Sequence, residues 1–272
     1  MKRTLRNILI LSLTTIISAC GIFGREIDET AGIPADKLYD TAREHVRGRN
    51  WDSARKYLNA IENRHPYSSY AQQAMIDQAY VNWKDEQPER AIAVIDRFLQ
   101  IYPSHPGTEY MLYLKGLITF TPPSHFLTSF AGQKPSERDP RGLRQSYTAF
   151  KVLVDNYPNS RYAADARQRL VWLVTTLAEH ETNVARYYYE KKAYVAAVNR
   201  AQVVLTEFSG VPSAELALYI LMKSYEALGS EDQAADAKSV LVKNFPNSRY
   251  LTHGFKGEGG FMKYLSPSKW FN

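Results

Sequence analysis

The sequence predicts an all-α fold, a right-handed superhelical array of about five helix-turn-helix repeats, and three observations predict it. One phrase recurs: "NYPNSRYAADA" begins at Asn156 and "NFPNSRY" at Asn244, with weaker copies "NRHPYSSYAQQA" from Asn63, "QIYPSHPGTEYM" from Gln100 and "TEFSGVPSAELA" from Thr206. The spacing is that of a helical array, since Pro66 to Pro103 and Ser209 to Pro246 are each 37 residues apart. Each copy also closes one apolar helical run and opens another. Proline halts a helix and pre-sets a turn, and the Ser or Asn beyond it is expected to cap the next helix.

In chain order, residues 1–19 read as an export signal. Lys2, Arg3 and Arg6 precede the apolar run "ILILSLTTII", which is too short to span a bilayer as a stable helix. "ISAC" then resembles a lipobox, in which Cys20 is lipidated and becomes the first residue of the mature chain; the alternative is an ordinary signal peptide cut near Ala19. Cys20 is the only cysteine, so no intramolecular disulfide can form and its expected use is as an acyl acceptor. One acyl chain holds a protein only marginally, whereas several anchor it firmly. Gly21, not Asp, follows the cysteine, and by resemblance to Gram-negative lipoproteins this implies sorting to the outer membrane. Loss of the signal removes three of the 34 Lys and Arg residues and none of the 28 acids. A balance so near neutral gives no case for nucleic acid.

Residues 20–34 follow as a tether, with three glycines in "GIFGREIDETAGIP" and a fully extended reach of roughly 45–50 Å. The repeats then fit the tetratricopeptide template of a small residue, a large apolar residue four on, and a proline. These are Ala54, Leu58 and Pro66; Ala91, Ile95 and Pro103; Ser146, Phe150 and Pro158; and, less well, Ala197, Ala201 and Ser209, then Ala234, Lys238 and Pro246. Small residues let paired helices approach, and the large one fills the gap between neighbours. The expected organisation is three N-terminal repeats over residues 35–158, interrupted by a long Pro-, Ser- and Gly-rich loop at 121–142, and two C-terminal repeats over 159–250. An unbroken apolar pattern from Tyr162 to Tyr189 predicts an unusually long helix. Beyond it, residues 251–272 read as a mobile glycine-rich tail.

Catalysis finds little support. The six histidines show no metal-ligand spacing, and no phosphate loop, nucleophile elbow or cysteine nucleophile appears. No cofactor or metal is expected. His180 beside Glu181 is the one suggestive pair, better read as a solvated helix face. Binding is better supported, because the first helix of each repeat in such an array lines the inner face. The template places there Tyr39, Arg43 and Arg47, then Gln73, Tyr80, Trp83 and Lys84, then Tyr110, Tyr113 and Phe120. Rings stack on rings and Arg grips carboxylates, so the surface suits an extended peptide with aromatic side chains and a terminal carboxylate. The alternative is that several of these rings merely pack between helices. Arg200, in "AYVAAVNR", is either an exposed position on an amphipathic helix or a docking arginine.

The lipobox, tether, repeats and long third-repeat loop, with "NRHPYSSYAQQ", "IDRFLQIYPSHP", "ERDPR", "YPNSRYAADARQRLVWL" and "AYVAAVNR" in order, resemble the BamD (ComL) family of outer-membrane protein assembly factors. The resemblance covers about residues 37–250. It implies a non-enzymatic, lipid-anchored subunit of the β-barrel assembly (BAM) complex in the outer membrane, facing the periplasm. Its N-terminal repeats would bind unfolded outer-membrane proteins through their aromatic-rich C-terminal signal. Its C-terminal repeats would hold the POTRA region of BamA, with accessory Bam lipoproteins as further partners and Arg200 where the family places a salt bridge to BamA. The alternatives are a pilotin-like tetratricopeptide lipoprotein for a pilus secretin and, more distantly, a peptidoglycan-active enzyme.

Overall fold

A computed structural model describes residues 28–120, 139–208 and 210–257. The signal at 1–19, Cys20, most of the tether, loop residues 121–138 and the tail from 258 lie outside them. Among the described residues the regular elements are all helical: α1 (Ala35–Arg47), α2 (Trp51–Arg64), α3 (Ser69–Lys84), α4 (Pro88–Ile101), α5 (Thr108–Thr119), α6 (Arg141–Asn156), α7 (Ala163–Glu190), α8 (Tyr194–Glu207), α9 (Ala214–Leu228), α10 (Glu231–Asn244) and α11 (Arg249–His253), then a 3-10 turn at Gly254–Gly257. This is the all-α, tetratricopeptide-like series of helix pairs that the recurring phrase predicts. The chain divides into two compact units, residues 1–81 and 82–272, with the boundary inside α3.

Two turn types alternate. Between pairs, a proline displaces the residue before it from helical backbone. His65, Tyr102, Tyr157 and Phe245 precede Pro66, Pro103, Pro158 and Pro246, and all have φ between −125° and −133°. The carbonyl of each then accepts the N–H three residues on, from Ser68, His105, Ser160 and Ser248, at 3.0–3.2 Å. The repeated phrase is therefore a repeated backbone hydrogen bond. Within pairs, the helix ends on a left-handed residue, and the next N–H reaches back five residues in a Schellman closure. Gly229 fills this position after α9 at φ 73°, but Arg49, Glu86 and Lys192 do so after α1, α3 and α7 at φ 56–60°. The closing bonds are Asn50 to His45, Gln87 to Asn82, Ala193 to Tyr188 and Ser230 to Tyr225.

The expected caps require correction. Ser68 donates its hydroxyl to the His65 carbonyl, and Ser213 and Ser248 make no side-chain cap bond. Asn50 does cap, its side chain accepting from the Ser53 N–H at 3.2 Å, but it lies within a pair. Ser68, Ser160 and Ser248 instead close their turns through the backbone N–H, and the Ser160 hydroxyl also accepts the Tyr162 N–H at 3.3 Å just before α7.

In the first unit Leu38, Ala42, Ala54, Leu58, Ile61, Ala74 and Val81 form one core between α1, α2 and α3. The end of the tether belongs to this unit. Asp28 pairs with Arg64, Glu29 with Lys56 at 2.7 Å, and His65 Nε2 lies 3.1 Å from the Ile33 carbonyl. Residues 28–34 are thus laid along α2.

In the second unit each helix packs on the next from α5 to α10, interrupted in sequence by residues 121–138, and the long α7 also reaches α9. The small template positions Ala91, Ser146 and Ala197 are fully buried. α5 approaches α6 closely, since a Cβ at Gly116 would overlap the buried Phe150 ring and the Ser146 hydroxyl donates to the Gly116 carbonyl at 2.9 Å. In repeat five Lys238 is exposed, and Ala237 and Leu241 face the core instead. The apolar stripe there runs three residues on from Ala234, not four. The chain also stays packed past residue 250. Phe255 lies 5.1 Å from the Tyr189 ring and 5.0 Å from Tyr219, so a tail cannot begin at 251. No described helix is long and apolar enough to cross a membrane.

Candidate functional site

Within the first unit, the Tyr39 hydroxyl on α1 donates to Asp77 Oδ2 on α3 at 2.8 Å, and the Gln73 amide, one turn before Asp77, donates to Oδ1 at 2.9 Å. The Tyr39 ring packs 5.4 Å from Tyr70, and the Arg43 guanidinium lies 5.9 Å from the Tyr39 ring. Burial pushes the Asp77 carboxyl above its ordinary value, outweighing both hydrogen bonds and the charge of Arg43. Arg47 is exposed in the last turn of α1, where a cation complements the helix dipole. Tyr80 is half-buried on α3, one turn past Asp77. The structure thus brings together Tyr39, Arg43 and Gln73 around an acid that the template does not single out.

The second unit repeats the device. Tyr113 on α5 donates to Asp165 Oδ2 on α7 at 2.8 Å, and its ring stacks on Tyr162 at 4.7 Å, with the Tyr110 ring 5.9 Å from Tyr162. Here the acid has its own cation. Arg169, one turn on, bonds Asp165 through Nε at 2.5 Å and Nη2 at 3.3 Å, and its guanidinium also lies 5.0 Å from the Phe120 ring. Arg169 accordingly holds the Asp165 carboxyl below its ordinary value. Two tyrosine–aspartate bridges with opposite electrostatics result, because one acid is buried among neutral donors and the other is chelated. At the end of α3 that belongs to this unit, Lys84 Nζ lies 4.1 Å from the Trp83 ring.

A third constellation surrounds Arg200 on α8. Its Nη1 lies 3.0 Å from Glu181 Oε2 on α7, and Arg144 on α6 holds the other carboxylate oxygen. The Glu181 side chain is 2% exposed, whereas those of Arg144 and Arg200 are 40% and 46% exposed. Glu181 is therefore not on a solvated face, as the His180–Glu181 pair suggests in sequence, but at the bottom of an ion triad. Arg200 also borders an open cleft with Tyr188, Ala196, Asn199 and Val203.

Sequence reasoning missed Asp77, Tyr162, Asp165 and Arg144 as site residues, and it singled out Glu181 only to read it as solvated. The acid-to-base spacing of four from Asp165 to Arg169 was available as a signal; nothing local marks the others. Among the described residues no three His, Cys, Asp or Glu side chains are grouped to hold a metal ion. Aromatic rings, guanidiniums and carboxylates gathered in this way can stack on rings and pair with charges, which is the chemistry of recognition.

The profile of a family described as YfiO, outer membrane lipoprotein, matches residues 32–241. A relative in Neisseria meningitidis serogroup A, named outer membrane protein assembly factor BamD, is 41% identical over 94% of this chain and 96% of its own. The protein of that name in Xylella fastidiosa strain Temecula1 is 35% identical over 90% of this chain and 84% of its own. That of Vibrio cholerae is 29% identical over 89% and 98%. A match over most of the chain and relatives aligned nearly end to end lead to one conclusion: the chain belongs to the YfiO family of outer-membrane lipoproteins, in which these BamD proteins are its relatives.

Proposed function

We propose that this chain is a non-enzymatic lipoprotein subunit of the outer-membrane β-barrel assembly machinery. It is anchored through lipid on Cys20, faces the periplasm, binds the POTRA region of BamA and receives unfolded outer-membrane proteins. The observation that carries the reading is that relatives covering nearly the whole chain share the name of an outer membrane protein assembly factor. The geometry fits it. Tyr39, Tyr80, Trp83, Tyr110 and Tyr113 supply rings on first helices of repeats, and Arg43 and Arg47 are exposed beside the first of them to grip a terminal carboxylate. Residues 35–158 take the aromatic-ended substrate segment, and residues 159–250 dock on BamA, with Arg200 meeting an acidic side chain there.

Affinity purification of the tagged chain from solubilised outer membrane tests this. BamA and accessory Bam lipoproteins are expected to co-purify. Recovery of a pilus secretin instead, or of no outer-membrane protein, contradicts the proposal.

A further inference from the structure

Arg200 shares its acid with a second cation, and that sharing decides how Arg200 can be used. Among the ion pairs of the described residues, Arg200 is joined to Glu181, while Arg144 is joined to Glu181 and also lies 3.6 Å from Glu207. Glu181 is 2% exposed. A carboxylate that deep cannot be stripped of every cation, because its lost hydration would go uncompensated. With two guanidiniums on opposite oxygens, either can leave while the other keeps the acid paired. Arg200 is the one placed to leave, since its side chain is 46% exposed and walls the cleft formed with Tyr188, Ala196, Asn199 and Val203. Arg144 is the one placed to stay, held by a second acid.

We infer that Arg144 is a positioning residue: it keeps Glu181 paired so that Arg200 can turn from Glu181 to an acidic side chain on a docking partner. The exchange swaps one carboxylate for another at Arg200 and leaves no buried charge alone. Without Arg144, Arg200 becomes the sole cation of a buried acid, and a partner's carboxylate must compete with that acid for it. The inference rests on the docking role proposed for Arg200 and adds what makes that docking possible.

The test measures affinity of the lipidated full-length chain, in detergent at moderate salt, for the purified periplasmic region of BamA. Four proteins are compared: the parent, Arg200→Ala, Arg144→Ala, and Arg144→Ala combined with Glu181→Gln. Arg200→Ala is expected to weaken binding by about tenfold or more, as loss of a partly desolvated pair does. Arg144→Ala is expected to weaken it by about fivefold or more although Arg200 is intact. The double variant is expected to return to within about threefold of the parent, because a neutral amide no longer retains Arg200. Rescue by removing a second charged group is not expected of a purely structural arginine, and helical content and melting temperature are checked alongside. If Arg144→Ala binds like the parent while Arg200→Ala does not, this inference is overturned and the docking role stands. If Arg144→Ala is weak and the double variant stays weak, Arg144 touches the partner or supports the fold, and the inference is again overturned. If Arg200→Ala binds like the parent, the docking role itself fails.

Discussion

Replacing Gly116 by alanine should destabilise the protein, although the position is inside a helix, where alanine is intrinsically better by about 1 kcal/mol. The reversal comes from the α5–α6 approach. A Cβ at Gly116 would overlap the ring of Phe150, a fully buried residue, so either the ring or the helix must move. Overpacking of this kind costs about 1–3 kcal/mol. If α5 lifts away, the buried bond from the Ser146 hydroxyl to the Gly116 carbonyl is also strained, adding about 1 kcal/mol. Set against the propensity gain, the net loss is about 0–2 kcal/mol if the ring moves and about 1–3 kcal/mol if α5 lifts. Urea unfolding followed by circular dichroism reads it, and Phe150→Leu supplies the control by making room for the new methyl group. The double variant should be more stable than the two single losses added together predict, with a coupling of about 1 kcal/mol or more. A Gly116→Ala protein that is more stable than the parent, or a coupling near zero, would mean that Phe150 does not limit the approach of α5 to α6.

The two tyrosine–aspartate bridges should respond to pH in opposite directions. The raised carboxyl of Asp77 means that stability is lost as pH rises from its unfolded value through its folded one, so Asp77→Asn should match the parent in acid and equal or exceed it at neutral pH. The lowered carboxyl of Asp165 contributes stability above its unfolded value that is lost as pH falls through the folded one, so Asp165→Asn should be weaker at neutral pH and converge with the parent in acid; melting temperatures from about pH 2 to about pH 7, a range that brackets ordinary carboxylate titration, check both. Lys192→Gly, at φ 60°, should stabilise or be neutral, whereas Gly229→Ala, at φ 73°, should cost about 1 kcal/mol. Mass spectrometry of the mature N-terminus should find an acylated Cys20, and an unmodified cysteine or a different cleavage site removes the lipid anchor from the account.

What the sequence made legible was the architecture set by local rules. Proline acts on its immediate neighbour, so the turns at Pro66, Pro103, Pro158 and Pro246 could be placed from sequence alone, and the absence of a breaker from Tyr162 onward foretold the 28-residue α7. The left-handed turns were less visible because Arg49, Glu86 and Lys192 carry a conformation that glycine would advertise. Lys238 misled because a template fixes spacing, whereas the helix in repeat five is turned so that Ala237 is inward. At the candidate sites the rings were legible and the acids were not. Asp77 and Glu181 look like ordinary surface residues until helices distant in sequence, bringing Tyr39 to one and Arg144 and Arg200 to the other, close over them. Burial of a charge depends on tertiary neighbours, which no local window contains.

Docking on BamA through the surface around Arg200, as proposed, makes that arginine's charge indispensable, and reversing the charge puts this to the test. With the tagged chain expressed in its own cells, co-purification of BamA is compared for the parent and Arg200→Glu, then for Arg200→Glu with acidic-to-basic changes scanned across the POTRA region. Loss of a partly desolvated pair is worth roughly 2–5 kcal/mol, against about 1 or less for a solvated one. Arg200→Glu is therefore expected to reduce BamA recovery more than about tenfold, and one reversed POTRA residue is expected to restore it. BamA recovered undiminished with Arg200→Glu at moderate salt would contradict the claim and leave Arg200 as a partner of Glu181 alone.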